Sequence, residues 1–309
     1  MARKKKNTKK RIGGGLGIGG ALVAVILVAL YLIFPQWFGG EEKPNDQPGD
    51  TSVDGQVTVH VIDVGQADSI LIMTPSGNML IDAGTNSSEE ALTSYLESVG
   101  VNAFEYVIFT HPDADHIGGA DRVMREYAVK NVILPNCVKT TKVYENMITA
   151  IEESKANVIE PVSGTYYQIG DFSFRILAPN SEKYSSTNDY SVVVRATYGA
   201  VSMMFTGDAE GNKEGVSEKE ILKAYSPDEL KSDFLKVGHH GSDTSSSEAF
   251  IRAVAPKIAA ISVGEGNTYG HPVQSTLDTL QKAGVTVYRT DRMGTLLFVC
   301  DGKNITYQK

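Results

Sequence analysis

Six residues of this chain, His111-Pro112-Asp113-Ala114-Asp115-His116, place two imidazoles and two carboxylates in one short loop. The loop follows an apolar run, Phe104 to Phe109, that reads as a buried strand. So many ligand-type groups in one place repel and desolvate badly unless positive charge neutralises them, and one or two divalent cations would do so. Two further clusters of the same chemistry follow, Thr206-Gly207-Asp208 and His239-His240-Gly241-Ser242. Four of the six histidines fall in these clusters, and a fifth, His271, sits in a Gly-His-Pro turn. One such loop alone also reads as a polar turn; three, each at a strand end, favour a hydrolytic metal site. A structural zinc is disfavoured, because such sites favour closed thiolate sets and neither Cys137 nor Cys300 has a ligand neighbour.

These clusters need elements to position them. Val57 to Val64 alternates like a strand, and Asp68 to Thr74 and Asn78 to Ile81 continue an antiparallel meander through a Pro75-Ser76-Gly77 turn. Ser87-Ser88-Glu89-Glu90 is a capping box opening a helix that Gly100 ends. Helices near Gly119 to Tyr127 and Lys142 to Lys155 flank a strand at Asn131 to Leu134. Phe172 to Leu177, Ser191 to Tyr198 and Val201 to Phe205 predict a second sheet, after which helices alternate with short strands up to Gly294 to Val299. Two batches of strands, each followed by helices, predict an α/β sandwich of two sheets with helices outside. The clusters would then converge on one edge of it.

At 309 residues, with 41% apolar and 21% charged side chains, the chain can bury a sizeable core in one large domain or two modest ones. Seven of its 29 basic side chains, and none of its 37 acids, lie in residues 1–11. The rest therefore carries 22 basic groups against 37 acidic ones, a formal charge of −15. So acidic a body argues against nonspecific adhesion to DNA, which needs a basic face to release counterions. From Ile12 to Gly40 no residue is charged, and Leu16 to Phe38 is long enough to cross a bilayer. The flank of lysines and arginines places the N-terminus in the cytoplasm and the body outside. Phe34-Pro35-Gln36-Trp37-Phe38 offers no small-x-small cleavage site, so an uncleaved anchor is expected over a signal peptide. The expected organisation is a basic cytoplasmic tail (1–11), a transmembrane anchor (12–38), a flexible linker (39–56) and one domain (57–309).

The pattern His-x-Asp-x-Asp-His-x-Gly-Gly (His111 to Gly119), with Leu80-Ile81-Asp82-Ala83-Gly84 before it and the two later clusters after it, resembles the metallo-β-lactamase superfamily. Val61-Ile62-Asp63-Val64-Gly65-Gln66-Ala67-Asp68, Asn188-Asp189-Tyr190-Ser191 and Tyr269-Gly270-His271-Pro272 are similar to motifs of the extracytoplasmic hydrolase domain of the ComEC-type competence proteins. The resemblance runs from Val57 to the end of the chain. It implies a four-layer αββα sandwich, preceded here by one transmembrane helix rather than a multi-span channel. It also implies a site for two divalent metal ions. Asp115, His116 and one of His239 and His240, with His240 preferred, would hold one ion; His111 and Asp113 would hold the other; Asp208 would bridge them. Asp115, His239 and His271 are the expected catalytic residues, the last as a donor to phosphate or to the leaving group.

Two departures from the superfamily's commonest pattern matter: Asp113 replaces a second histidine, and Asn188-Asp189 stands where relatives place one. The ComEC-type proteins share both. Loss of imidazoles hardens the donor set and tilts the metal from zinc toward manganese. Asp63 and Asp82 would either orient metal-binding histidines or cap strand-end turns. Ser242, Thr244 and Ser245 would either donate to phosphate or cap the helix they precede. His60 reads as structural. The expected activity is an extracellular, membrane-anchored phosphodiesterase acting on DNA or a teichoic-acid-like wall phosphodiester, with no organic cofactor. A lactonase or β-lactamase, and a non-catalytic surface binding module, are the alternatives.

Overall fold

The computed structural model describes residues 55–309. The basic tail, the apolar anchor and nearly all of the linker expected at 1–56 lie outside the described residues. Among the described residues no helix is long and apolar enough to cross a membrane.

In chain order the elements are β1 (Val57–Val61), β2 (Ile70–Thr74), β3 (Gly77–Ile81), α1 (Glu89–Ser98), β4 (Ala103–Ile108), α2 (Ala114–Ile117), α3 (Ala120–Glu126), β5 (Ala128–Ile133), α4 (Lys142–Ser154) and β6 (Asn157–Ile159). Then come β7 (Tyr166–Ile169), β8 (Phe172–Ala178), β9 (Val193–Tyr198), β10 (Val201–Phe205), α5 (Ser217–Ala224), α6 (Pro227–Leu230), β11 (Phe234–Lys236), α7 (Glu248–Val254) and β12 (Ile258–Ile261). The chain ends with α8 (Gln274–Lys282), β13 (Thr286–Arg289), α9 (Thr290–Met293), β14 (Leu296–Cys300) and β15 (Ile305–Gln308). One mixed sheet has the order β15-β14-β1-β2-β3-β4-β5-β6 and the other β13-β12-β11-β10-β9-β8-β7.

Alternation along the strands divides the apolar side chains among three cores. Val57, Val59, Val61, Ile70, Ile72 and Ile81 from the first sheet meet Phe174, Ile176, Val194, Met203 and Phe234 from the second. On the first sheet's other face Leu71, Leu80 and Val107 pack under Leu92, Leu96, Val123 and Met147 of the helices. Met204, Leu235 and Ala259 do the same under Ile221, Phe250, Ile251 and Leu280. Helix, sheet, sheet and helix thus form four layers. Strands apolar on both faces explain why β2 (Ile70 to Met73) and β12 read as continuous apolar runs, and why only Ser202 interrupts β10.

The two-batch expectation needs one correction. β14 crosses back to the first sheet and pairs antiparallel with β1, Val57 opposite Cys300. The expected strands and helices appear with shifted ends, whereas β6, β7 and β15 carried no clear pattern in sequence. All three lie at or beside sheet edges, where exposed faces dilute the alternation.

His60 is a structural residue. It is buried on β1, with Nδ1 2.7 Å from the Tyr95 hydroxyl and Nε2 2.8 Å from the Thr58 hydroxyl. Burial pushes its pKa down to about 4. The native state therefore binds fewer protons than the unfolded chain between about pH 6.5 and 4, and stability is lost as pH falls through that window. The expected loss is up to about 3 kcal/mol. Urea midpoints of wild type should fall more steeply across it than those of His60→Gln; parallel curves would refute the assignment.

Candidate metal centre

The site forms where the parallel strands end. β3 delivers Asp82, β4 delivers Thr110 and the His111–His116 loop, β10 delivers Thr206-Gly207-Asp208, and β11 delivers His239-His240. Such carboxyl ends are where α/β sheets leave a crevice. The Gly118-Gly119 pair lets the start of α3 lie against the loop after β3. Gly118 N–H donates to Gly84 O at 2.7 Å, and a Cβ at Gly118 would fall 2.3 Å from the Asn86 nitrogen.

Asp115, His116, Asp208 and His240 each offer a ligand atom, all within 4.8 Å of one another. His116 Nε2 is 3.3 Å from Asp208 Oδ1, and His240 Nε2 is 3.4 Å from Asp115 Oδ2. Around the other Asp208 oxygen lie His239 Nε2 at 3.6 Å, His240 Nε2 at 3.9 Å and His111 Nε2 at 4.0 Å. Nε2 of His111, His116 and His240 and Oδ1 of Asp208 are buried without a hydrogen-bond partner. Buried polar atoms are ordinarily paired, so converging orphans of this chemistry fit a cation.

The far side of each imidazole is held. His116 Nδ1 donates to Asp82 Oδ2 at 2.7 Å, His240 Nδ1 to Ser262 O at 3.0 Å, and His111 Nδ1 lies 3.1 Å from the Thr110 hydroxyl. A proton fixed on Nδ1 leaves the Nε2 lone pair free for a metal. Asp82, His239 and His240 adopt the left-handed region at φ 60, 48 and 52°, which costs free energy at non-glycine residues and persists where the surroundings over-determine it.

The field at the site favours positive charge. Burial works against a charged His116, but Asp208 and Asp82 outweigh it and hold the pKa well above the usual range. At His240 burial is likewise overcome by Asp208 and Asp68, which push the pKa up to about 10. Burial would raise Asp208, yet His116, His240 and His239 hold it well below the ordinary carboxylate range. His111 is different: burial and the neighbouring His116 push it down to about 4, leaving a neutral donor.

The remaining expected residues are placed less uniformly. Asp113 Oδ2 is 3.9 Å from His111 Nε2, but its Oδ1 is paired with the Lys139 ammonium and its Oδ2 accepts from the Thr187 hydroxyl at 3.4 Å. His271 stands outside the four-residue group, its ring edge-on to His239 at 5.6 Å. Asp63 is exposed and accepts from Gly65 N–H at 3.2 Å, so it serves a turn, whereas Asp82 backs His116. Ser242, Thr244 and Ser245 do not head a helix, since α7 begins only at Glu248 behind the Ser247 cap. Thr244 instead lies 2.9 Å from His239 Nδ1.

Sequence reasoning gave no role to Lys236, Asp68 or Glu210. Lys236 is fully buried, donating to Asp68 Oδ2 at 2.8 Å, and Asp68 Oδ1 lies 3.3 Å from His240 Nδ1. Glu210 is 3.3 Å from His239 Nδ1 and accepts from Asn188 Nδ2 at 3.2 Å. A lysine inside the apolar run Phe234-Leu235-Lys236-Val237 was a usable signal, since buried lysines are almost always paired.

Comparison with known proteins agrees with this geometry. Residues 62–136 match the family described as the metallo-beta-lactamase superfamily. The chain is 35% identical over 258 residues to ComE operon protein 3 of Bacillus subtilis (strain 168), covering 78% of this chain and 32% of that protein. The chain belongs to the metallo-β-lactamase superfamily. Within it the relatives include competence protein ComA of Neisseria gonorrhoeae, 28% identical over 293 residues, covering 90% of this chain and 38% of the other. The chain thus spans about a third of the length of these relatives. Among solved structures the metallo-beta-lactamase fold protein YhfI of Bacillus subtilis shares the fold, with TM-score 0.53 at 12% identity, covering 80% of this chain and all of that one.

The pairing of Asp82 with His116 yields a prediction for this superfamily member. Asp82→Asn keeps the left-handed backbone, which asparagine tolerates, but turns an amide donor toward Nδ1. The proton would move to Nε2, the atom that should bind the cation. Metal affinity by calorimetry is expected to fall about 10- to 100-fold, and an unchanged affinity would exclude the role.

Proposed function

We propose that this protein is a membrane-anchored, extracellular, metal-dependent phosphodiesterase acting on DNA or a teichoic-acid-like wall phosphodiester. The observation that carries the reading is the convergence of three unpartnered imidazole nitrogens, Nε2 of His111, His116 and His240, on the Asp208 carboxylate. Asp115, His116 and His240 would hold one divalent ion, His111 with Asp113 a second, and Asp208 both. Divalent ions bound there supply an acidified water and neutralise charge on substrate oxygens.

The chain's own contribution is positional. Asp82 and Ser262 fix the tautomers of His116 and His240, and Thr244 with Glu210 hold His239 at the accessible side of Asp208. His239 and His271 line that side and would donate to a phosphate oxygen or leaving group. Carboxylates make up half of this six-residue donor set and thiolates none of it, which favours manganese over zinc. The seven basic side chains of residues 1–11 and the uncharged stretch after them support a cytoplasmic N-terminus, one membrane pass and an outer catalytic domain.

The test is to purify the chain, determine bound metal, and assay a phosphodiester, a phosphomonoester and a cephalosporin with and without chelator. Chelator-sensitive hydrolysis of the phosphodiester alone supports the reading. Turnover of the cephalosporin would replace it with a lactam- or lactone-opening activity. Inertness of the metal-loaded chain toward all three would leave a surface binding module.

A further inference from the structure

We propose that Tyr269 is an aromatic platform on which a nucleobase flanking the scissile phosphodiester stacks. This rests on the phosphodiesterase reading and deepens it, by assigning a specificity-determining residue. Tyr269 is 71% exposed, the most exposed of the large apolar side chains among the described residues, and its hydroxyl makes no hydrogen bond there. Its ring stacks on His271 at 5.8 Å and 26°; His271 meets His239 edge-on at 5.6 Å; His239 Nε2 lies 3.6 Å from Asp208 Oδ2. Three rings therefore form a row from solvent to the Asp208 carboxylate. A phosphate at the cluster would place a neighbouring base within reach of the outermost ring.

The platform is fixed in advance. Asn267 clasps its loop, donating to Gly264 O at 3.0 Å and His271 O at 2.7 Å and accepting from His271 N–H at 3.0 Å. Val273 N–H donates to Gly241 O at 3.0 Å, and a Cβ on Gly241 would fall 2.5 Å from the Pro272 ring. The tyrosine loop and the twin-histidine turn are thus locked together, and little ordering remains to oppose binding.

Charge explains why stacking is needed. Residues 12–309 carry −15, so counterion release contributes little to holding a polyanion. Stacking is indifferent to that charge and to base identity. A poly(glycerol phosphate) has no flat ring to offer. A choline group would need several aromatic faces around it, and the exposed aromatic side chains among the described residues are Tyr269 and Tyr166, the latter on the edge strand β7.

The test measures binding of a labelled oligothymidylate and of poly(glycerol phosphate) to the full chain by anisotropy, with chelator present so that nothing is turned over. Tyr269→Ala should weaken oligothymidylate binding roughly tenfold, leave the salt slope and poly(glycerol phosphate) binding unchanged, and be rescued by Tyr269→Trp. With metal restored, KM for the oligonucleotide should rise by a like factor at constant kcat. The proposal is overturned by unchanged oligothymidylate binding in Tyr269→Ala, by an equal loss toward poly(glycerol phosphate), or by choline displacing the oligonucleotide. Tyr269-dependent binding without cleavage by the metal-loaded wild type would uphold the platform and refute the phosphodiesterase.

Discussion

Replacing Asp208 with alanine is expected to lower kcat/KM for a phosphodiester by at least about 10³-fold, the scale seen when a preorganised charge at a reacting centre is removed. No other side chain touches so much of the site: His116 lies at one oxygen, and His239, His240 and His111 surround the other. The fold should survive, because the turn that carries Asp208 is held by other groups. The Thr206 hydroxyl donates to Lys236 O at 2.9 Å, Asp208 N–H to the Ser191 hydroxyl at 3.1 Å, and Ala209 N–H to Thr206 O at 3.1 Å. Removing the carboxylate also removes the main attraction that raises the pKa values of His116 and His240, so in the metal-free variant both should titrate nearer their ordinary range. Circular dichroism should match wild type while bound metal and turnover are lost together. A variant retaining activity within a few-fold of wild type would end the bridging assignment.

The residues that gather around Asp208 were legible because each cluster follows an apolar strand, and strand ends on parallel sheets come together. That rule brought the three clusters to one edge, whereas the choice of Asp115, His116 and His240 within them came from the family resemblance. What could not be read were the partners. Asp113 carries ligand chemistry, yet its carboxylate is paired with Lys139, 26 positions away on the loop after β5. Asp63 and Asp82 look alike in sequence, each following an apolar strand, but only Asp82 turns inward onto an imidazole. The choice depends on which element lies alongside, and local pattern does not encode that. The return of β14 to β1 is the same kind of fact. Its apolar residues suit either sheet, and only the packing of the whole sandwich selects one.

Lys236 shows the strongest such dependence, because its partner Asp68 lies 168 positions away. Both side chains are buried, the ammonium donating to Asp68 Oδ2 and to Val237 O at 3.0 Å. Burial would raise the Asp68 pKa, but Lys236 and His240 outweigh it and hold the group ionised. Lys236→Met should therefore strand a buried carboxylate and cost about 3–5 kcal/mol of unfolding free energy, measured by urea denaturation. Adding Asp68→Asn removes the stranded charge, and a neutral pair of similar volume should recover most of that loss. Metal affinity should not recover with it. His240 would still lack the carboxylate 3.3 Å from its Nδ1, and about 10- to 100-fold weaker binding is expected in the double variant. Stability and metal affinity would thus separate in one pair of proteins. If the single variant unfolds with wild-type midpoint, or if the double variant regains full affinity, the pair is not what holds His240 in place.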